Sequence, residues 1–394
     1  MEKLFSLFFA IIFLFSPDIR SQDRTVNEVF LLTCGPGTET YSRWGHSALR
    51  IIDGTSGTDR VYNWGVFDFN TPAFAWKFAR GRLEYMLGVT TYERFLQEYF
   101  MDGRWVQSQK INIEPRETEK LIQLIQENLR PENLKYRYDF FYDDCSTRIR
   151  DLLEKAIGEN MVYPPEIVGE APSFRFLTGK YLMTAPWLKL GIDLLMGSPG
   201  NRKATVRDRM FLPLDMQKGL SDIVIYRNGK MIPLLQNPLT VLEKNLETEK
   251  TVFFTSPLFV FSVLLVIVII LSAVFRDPKS NRIIDIILFS LFSVLALLMI
   301  FFNFFTDHQQ MKLNPNAIWL NPFILLCLLS VILKRDWQTW FRIVFALNVV
   351  WLFVLLIFPH SSNTAFMPLV LVLIVRSSAR SGYSWNPLTI PDGE

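Results

Sequence analysis

The chain has 394 residues, 50% of them hydrophobic, and a formal net charge of +3; its mean hydropathy of +0.20 is too high for a chain soluble throughout. So small a charge, with Lys and Arg dispersed, excludes a nucleic-acid surface as partner. Three cysteines and three histidines, without ligand spacing, exclude a disulfide framework and a metal site, and no motif calls for a cofactor.

The chain opens with Met1-Glu2-Lys3 and an apolar run over 4–15, followed by Ser-Pro-Asp-Ile-Arg-Ser-Gln. A bilayer span takes about 20 apolar residues, so this shorter run predicts a signal peptide over 1–21, with Ser21 at the cleavage site, or an N-terminal anchor. Either way 22–250 is expected to be exported.

Residues 26–34 read as a strand closed by Gly35-Pro36-Gly37. A second strand at 44–52 ends at Asp53-Gly54 and a third follows at 61–67, which predicts an antiparallel meander with His46 at the beginning of its second strand. Residues 115–129 carry Pro and acidic groups at their start, apolar positions at three-to-four spacing and Pro131 beyond their end, which predicts an amphipathic helix.

After the aromatic run 136–142, Ile149, Leu152, Leu153 and Ala156 share one face of a helix that begins near Cys145 and closes at Gly158. A cysteine in the first turn of a helix feels the partial positive charge of unpaired N–H groups, which favours thiolate. A histidine on an adjoining strand can take the thiol proton, and such a pair supports acyl transfer through a thioester, with helix-terminal N–H groups for the oxyanion. His-before-Cys order is no obstacle. Asp143 and Asp144 would cap the helix yet raise the thiol pKa, while Arg148 and Arg150 offset them. Two other readings stay open from the residues alone: Cys145 as a small buried hydrophobe beside a satisfied His46, or a Cys34–Cys145 disulfide. A further aromatic and basic segment, 173–190, fits an amphipathic linker on the membrane surface or a domain helix.

From 251 onward long apolar runs predict spans at 252–275, 283–305, 318–333, 340–358 and 366–375, the third and fifth being short. Arg276, Lys279 and Arg282, then Lys334, Arg335 and Arg342, then Arg376 and Arg380 mark alternate connections as basic, whereas 306–317 and 359–365 carry only Lys312. The positive-inside rule therefore puts the tail 379–394 in the cytoplasm and the residues before 252 outside, in agreement with the export signal. The expected domains are 1–21, 22–250, a transmembrane domain over 251–378, and the tail. His308 and His360 fall in the outer connections, where a polar residue capping a helix end is the simpler reading.

The segments 41–51 (Tyr-Ser-Arg-Trp-Gly-His-Ser-Ala-Leu-Arg-Ile), 61–68 (Val-Tyr-Asn-Trp-Gly-Val-Phe-Asp) and 144–151 (Asp-Cys-Ser-Thr-Arg-Ile-Arg-Asp) resemble the hallmarks of the Lnb-type bacterial lipoprotein N-acyltransferases. So does the pattern Asp307-His308, Asn314-Pro315-Asn316, Leu320-Asn321-Pro322. More distantly, the His-strand then Cys-helix order resembles the permuted NlpC/papain-like fold of lecithin:retinol acyltransferase relatives. The implied fold class is α+β: a permuted papain/NlpC-like exported domain of antiparallel sheet plus helices, followed by an all-α transmembrane bundle of about five helices.

The resemblance implies Cys145 as nucleophile, His46 as base and Asn63 as the polar residue of the adjoining strand; where the family usually shows Asn before its Cys, this chain has Asp144. It implies substrate contacts at Tyr41, Ser42, Trp44, Ser47, Asp68 and Arg148. Within the aromatic stretch 71–100, Arg80 and Arg82 are expected near a donor phosphate, with Phe74, Trp76, Phe78 and Tyr85 as a lip for acyl chains or as aromatic core; His308 and Asn316 are further candidates. The implied reaction moves an acyl chain from a phospholipid, through a Cys145 thioester, to the α-amino group of a diacylated lipoprotein's N-terminal cysteine, without a cofactor. The implied location is the bacterial inner membrane, with the catalytic domain periplasmic. With water as acceptor the same pair would make a hydrolase, and an inert Cys145 an envelope scaffold.

Overall fold

A computed structural model describes residues 27–166, 171–244, 252–359 and 361–382; the apolar leader, His360 and most of the tail lie outside them. The chain runs β1 (Glu28–Cys34), β2 (His46–Ile52), β3 (Asp59–Val66), α1 (Phe74–Ala79), β4 (Glu84–Thr91), α2 (Tyr92–Met101), β5 (Val106–Lys110), α3 (Pro115–Asn128), β6 (Lys135–Arg137) and α4 (Cys145–Ile157). It continues with β7 (Met161–Val162), α5 (Phe174–Lys180), α6 (Pro186–Leu195), α7 (Pro213–Ser221), β8 (Val224–Arg227), β9 (Lys230–Pro233) and β10 (Leu239–Leu242). The strands form a seven-stranded sheet of order β10-β5-β1-β2-β3-β4-β6 and a three-stranded one of order β7-β8-β9.

The expected meander is present, with Cys34 opposite His46 and Leu49 opposite Tyr62 in antiparallel register. Helices cover both faces of the large sheet, so neighbours such as Leu31 and Leu32, pointing opposite ways, are both fully buried. On one face Phe95 and Tyr99 of α2 pack on Leu32, Cys34, Ala48 and Val61. On the other, Leu121 of α3, Ile149 of α4 and Met216 of α7 pack on Leu31, Leu49 and Trp64. Helix α3 starts where its Pro and its Glu114/Glu117 capping box say it should. Helix α4 starts under the Asp144 cap and stops at Gly158, whose φ of 71° suits glycine.

The C-terminal part is a bundle of α8 (Pro257–Val274), α9 (Pro278–Phe304), α10 (Phe323–Ile332), α11 (Gln338–Ile357) and α12 (Met367–Ala379). Helices α8, α9 and α11 are long and apolar enough to cross a membrane; α10 is a shorter apolar helix, and so is α12 with the turn before it. Helix α10 begins later than the apolar run at 318 because Pro315-Asn316-Ala317 form a tight turn and Asn321-Pro322 precede the first helical residue. The rings of Phe289, Trp319 and Trp351 fill the centre of the bundle.

The connection 305–317 ties the two parts together. Asn314 Nδ2 donates to the Leu194 and Leu195 carbonyls at 2.8 and 2.9 Å. Asn316 Nδ2 donates to the Asp193 and Leu194 carbonyls, both at 3.1 Å. These are the unpaired carbonyls at the end of α6, so the motif acts as an external C-cap. Asp193, buried, also pairs with Lys189 and Arg175 and accepts from Asn363 of the connection before α12. A side chain at 197 would sit 1.9 Å from the Lys312 carbonyl oxygen, so only glycine fits there.

Candidate active site

Cys145 is the first residue of α4 and is 7% exposed. Its Sγ lies 3.9 Å from Ser146 Oγ; Ser47 of β2, whose Oγ lies 3.4 Å from Ser146 Oγ, brings its backbone N–H near enough to favour the thiolate. Thus β2 meets the first turn of α4 at Ser47. A register shift between Trp64 and Val66 bulges β3 at Gly65, whose φ is +93°. A Cβ there would lie 4.0 Å from Cys145 Cβ and 3.5 Å from Tyr138, so the bulge leaves space against the thiol.

The sequence favours a lowered thiol pKa, and the structure reverses the sign. Burial, followed by the neighbouring Asp144 carboxyl, pushes Cys145 up to about 12, against the pull of the Ser47 and Ser146 donors. The helix-terminal N–H groups of Ser146 and Thr147 are taken by Asp144 Oδ1 at 2.9 and 2.8 Å, which spends much of the terminus on the cap. Burial pushes Asp144 up to about 8 against those same donors.

His46 Nε2 lies 3.1 Å from Asn63 Oδ1 on β3, so the two strand residues picked out together do meet. The ring also stacks on Tyr99, centroids 6.5 Å apart at 13°. Strand alternation explains this: His46 takes the Ala48 side of β2, with α2, while Ser47 takes the Cys145 side. Among the described residues no hydrogen bond joins Cys145 Sγ to the His46 ring. The two groups lie on opposite faces of β2, Cys145 on the Ser47 side and His46 against Tyr99 of α2. Burial first, then Arg104, lowers His46 to about 4, while Asn63 raises it. The imidazole is therefore neutral at neutral pH, as a base must be.

Arg104 has no local signal in the sequence. It is 6% exposed, donates through Nε to the Gly35 carbonyl at 2.8 Å and lies 4.6 Å from the Tyr99 ring centroid. A layer of Arg104, Tyr99 and His46 results, with Cys34 beside it. Burial pushes Cys34 up to about 12, and both Cys34 and Cys145 are free. The disulfide left open by the sequence is not formed, and Cys34 packs with the α2 core while Cys145 packs with α4.

The other singled-out residues scatter. Ser42 is buried and bonds the Glu39 carbonyl; Trp44 Nε1 reaches the Thr178 carbonyl at 3.1 Å, locking the His46 loop to α5. Asp68 receives the Asn70 N–H at 2.8 Å, and exposed Tyr41 meets Phe67 edge-on at 6.2 Å. Arg148 is held by Asp143 and covers the Tyr136 ring at 3.4 Å. Arg82 pairs with Asp307 at 2.8 Å, and the Arg80 carbonyl accepts the Asp307 N–H at 2.8 Å. His308 Nε2 lies 3.0 Å from the Phe78 carbonyl oxygen, a cap of the kind expected for it. Asn316, 1% exposed, also accepts from Trp319 and Ser362, so its amide is fully used inside the clamp.

Comparison with known proteins adds two matches. A family model described as the Lnb N-terminal periplasmic domain matches residues 20–167, and one described as the Lnb transmembrane domain matches 247–383. No curated protein and no solved structure matches the chain. The two matches belong to one family, follow one another in the order of the fold and cover most of the chain. It is an Lnb-type protein, a lipoprotein-processing membrane enzyme with an N-terminal periplasmic domain and a C-terminal membrane part.

Proposed function

We propose that the protein is a lipoprotein N-acyltransferase of the bacterial inner membrane, its thiol domain spanning roughly 22–250 in the periplasm and its C-terminus in the cytoplasm. The observation that carries the reading is a thiol in the first turn of α4, packed where that turn meets Ser47, the β2 neighbour of His46, in a chain of the Lnb family. Both substrates of such a reaction are anchored in a bilayer, which a thiol domain clamped to membrane helices through 305–317 can reach.

In the first half-reaction the Cys145 proton passes to His46 and Sγ attacks the ester carbonyl carbon of a phospholipid. The C–S bond forms, the carbonyl becomes an oxyanion, and the Cys145 N–H, which the Asp144 cap does not use, is positioned to donate to it. The C–O bond to glycerol then breaks, and the leaving oxygen takes the proton from His46 to give lysophospholipid. In the second half-reaction the lipoprotein's α-amino group attacks the thioester carbonyl. The C–N bond forms, the C–S bond breaks, and the amine proton returns through His46 to the thiol. Asn63 holds the imidazole in the resting arrangement. Proton exchange requires the ring to turn toward the sulfur at the first residue of β2, and catalytic hydrogen bonds commonly tighten only when substrate is bound. Of the two candidate phosphate ligands, Arg80 suits the role better, because Arg82 is engaged by Asp307.

Mass spectrometry of lipoprotein N-termini tests this in cells relying on this chain. Cys145→Ser is expected to leave the α-amino group free, and unchanged N-acylation in that variant would overturn the reading.

A further inference from the structure

A line of aromatic rings leads from the thiol to the membrane. It starts at the Gly65 bulge, where Tyr138 and Cys145 face the same space. The Tyr138 ring lies 4.6 Å from Tyr85, Tyr85 5.2 Å from Phe67, Phe67 5.9 Å from Phe74, and Phe74 6.3 Å from Phe78, those last two almost parallel at 8°. Phe69 closes onto both Phe67 and Phe74, at 4.9 and 5.2 Å. On the same short helix α1, Trp76 reaches Phe301 in the last turn of the spanning helix α9, 5.6 Å away.

The line is open along its side. Helix α1 has no buried residue although its sequence is Phe-Ala-Trp-Lys-Phe-Ala; Phe69, Trp76 and Phe78 are 64%, 55% and 54% exposed. Such a contiguous apolar strip, continuous with a membrane helix, is a binding surface and not a stray exposed residue. Steps of 5–6 Å between successive rings give it a length comparable with the roughly 15 Å of hydrocarbon in one leaflet. At the membrane end Arg80 lies over the Trp76 ring at 5.6 Å, and its buried Nε has no partner among the described residues; it would meet a donor's phosphate as the lipid enters from the membrane, not once the ester has reached Cys145.

We infer that this aromatic line is the track of the donor's acyl chain, which enters beside Phe301 and lies along Phe78, Phe74 and Phe67 while its ester carbonyl meets Cys145. The inference rests on the proposed function in taking a lipid ester as substrate, and it adds where the chain lies.

The full chain in nanodiscs of phosphatidylethanolamine, doped with the same lipid carrying a diazirine on one acyl chain, is photolysed and the adducts are mapped by mass spectrometry. Adducts within 67–78 are expected; adducts confined to the spanning helices would overturn the track. In a second arm Phe69→Ser combined with Phe78→Ser is expected to lower long-chain acylation of Cys145 about tenfold, a little over one kcal/mol of binding. A water-soluble butyryl ester should acylate Cys145 of that variant at the wild-type rate. Equal loss with both esters would overturn the track by pointing to damage at the thiol. Failure of either ester to acylate wild-type Cys145 would instead overturn the nucleophile assignment, and the photolabel map would still judge the track.

Discussion

The centre of the bundle and the start of α4 each bury an aspartate, and they treat it in opposite ways. In the bundle, Asp285 of α9 is 0% exposed and faces Arg376, which is 1% exposed, with Nε to Oδ1 at 2.7 Å. Arg380 donates to the other oxygen, and Arg376 also bonds Ser272 and Asn281 at 2.7 and 3.0 Å. In the periplasmic domain Asp144 is 1% exposed and has no guanidinium within ion-pair distance among the described residues; its partners are two backbone N–H groups and the Thr147 hydroxyl. A carboxylate among apolar helices persists only with a complete set of cationic and polar donors. Asp144, pushed up to about 8 by burial, is protonated near neutral pH. It then caps α4 as an uncharged acceptor, electrically like the Asn that the family resemblance leads one to expect before the cysteine.

The largest effect that tests this contrast is Asp285→Ala. It leaves Arg376 and Arg380 without their carboxylate in the bundle interior, and breaking a buried pair in this way costs about 3–5 kcal/mol. Thermal unfolding of the full chain in detergent should show a clearly lower midpoint, and an unchanged one would mean that the pair does not hold α9 to α12.

Asp144→Ala is expected to cost less, about 1 kcal/mol for a lost N-cap. Asp144→Asn should cost less again, since its amide oxygen still accepts from Ser146 and Thr147. The charge effect depends on pH. A carboxyl whose folded pKa is raised binds its proton more tightly in the folded state, so its contribution to stability is lost as pH rises from about 3.8 to about 8. Asp144→Asn should therefore flatten that decline. It should also speed alkylation of Cys145 above pH 8, where the native carboxylate opposes thiolate formation, and leave the rate at pH 6 unchanged. Equal acceleration at both pH values would show Asp144 already charged at neutrality. His46 runs the other way: lowered to about 4, it withdraws stability as pH falls from about 6.5 to about 4.

What was legible in the sequence follows the range of the interactions involved. Helices α3 and α4 carried their own start and stop residues, Pro115, Asp144 and Gly158, and were readable to within about a residue. The meander was readable because Gly35 to Gly37 and Asp53-Gly54 punctuate it. The direction of the Cys145 shift was not, because helix position is local while burial depends on α3, α7 and the sheet. Arg104 and Tyr99 gave no signal, since their tie to His46 exists only once α2 lies on β1 and β2. The Asn314-Pro315-Asn316 motif stood out, yet its role as a cap for α6 is a contact across about 120 residues of chain.

The smallest expected effect separates the clamp from the candidate lipid site. Arg82 and Arg137 share Asp307 at 2.8 and 3.2 Å, all three side chains being at least a third exposed, and exposed ion pairs contribute little and weaken with salt. The loop they touch is held independently by Asn314 and Asn316 at α6. Arg82→Gln should therefore barely move the unfolding midpoint, and adding Asp307→Asn should change it little further. Arg80 differs: its Nε has no partner among the described residues, so Arg80→Gln has no ion pair to break and should also leave stability alone. Donor use should then divide the two, with KM for phospholipid rising in Arg80→Gln and unchanged in Arg82→Gln. Equal KM effects would make both arginines headgroup ligands, and the Arg82–Asp307 pair a contact that substrate displaces.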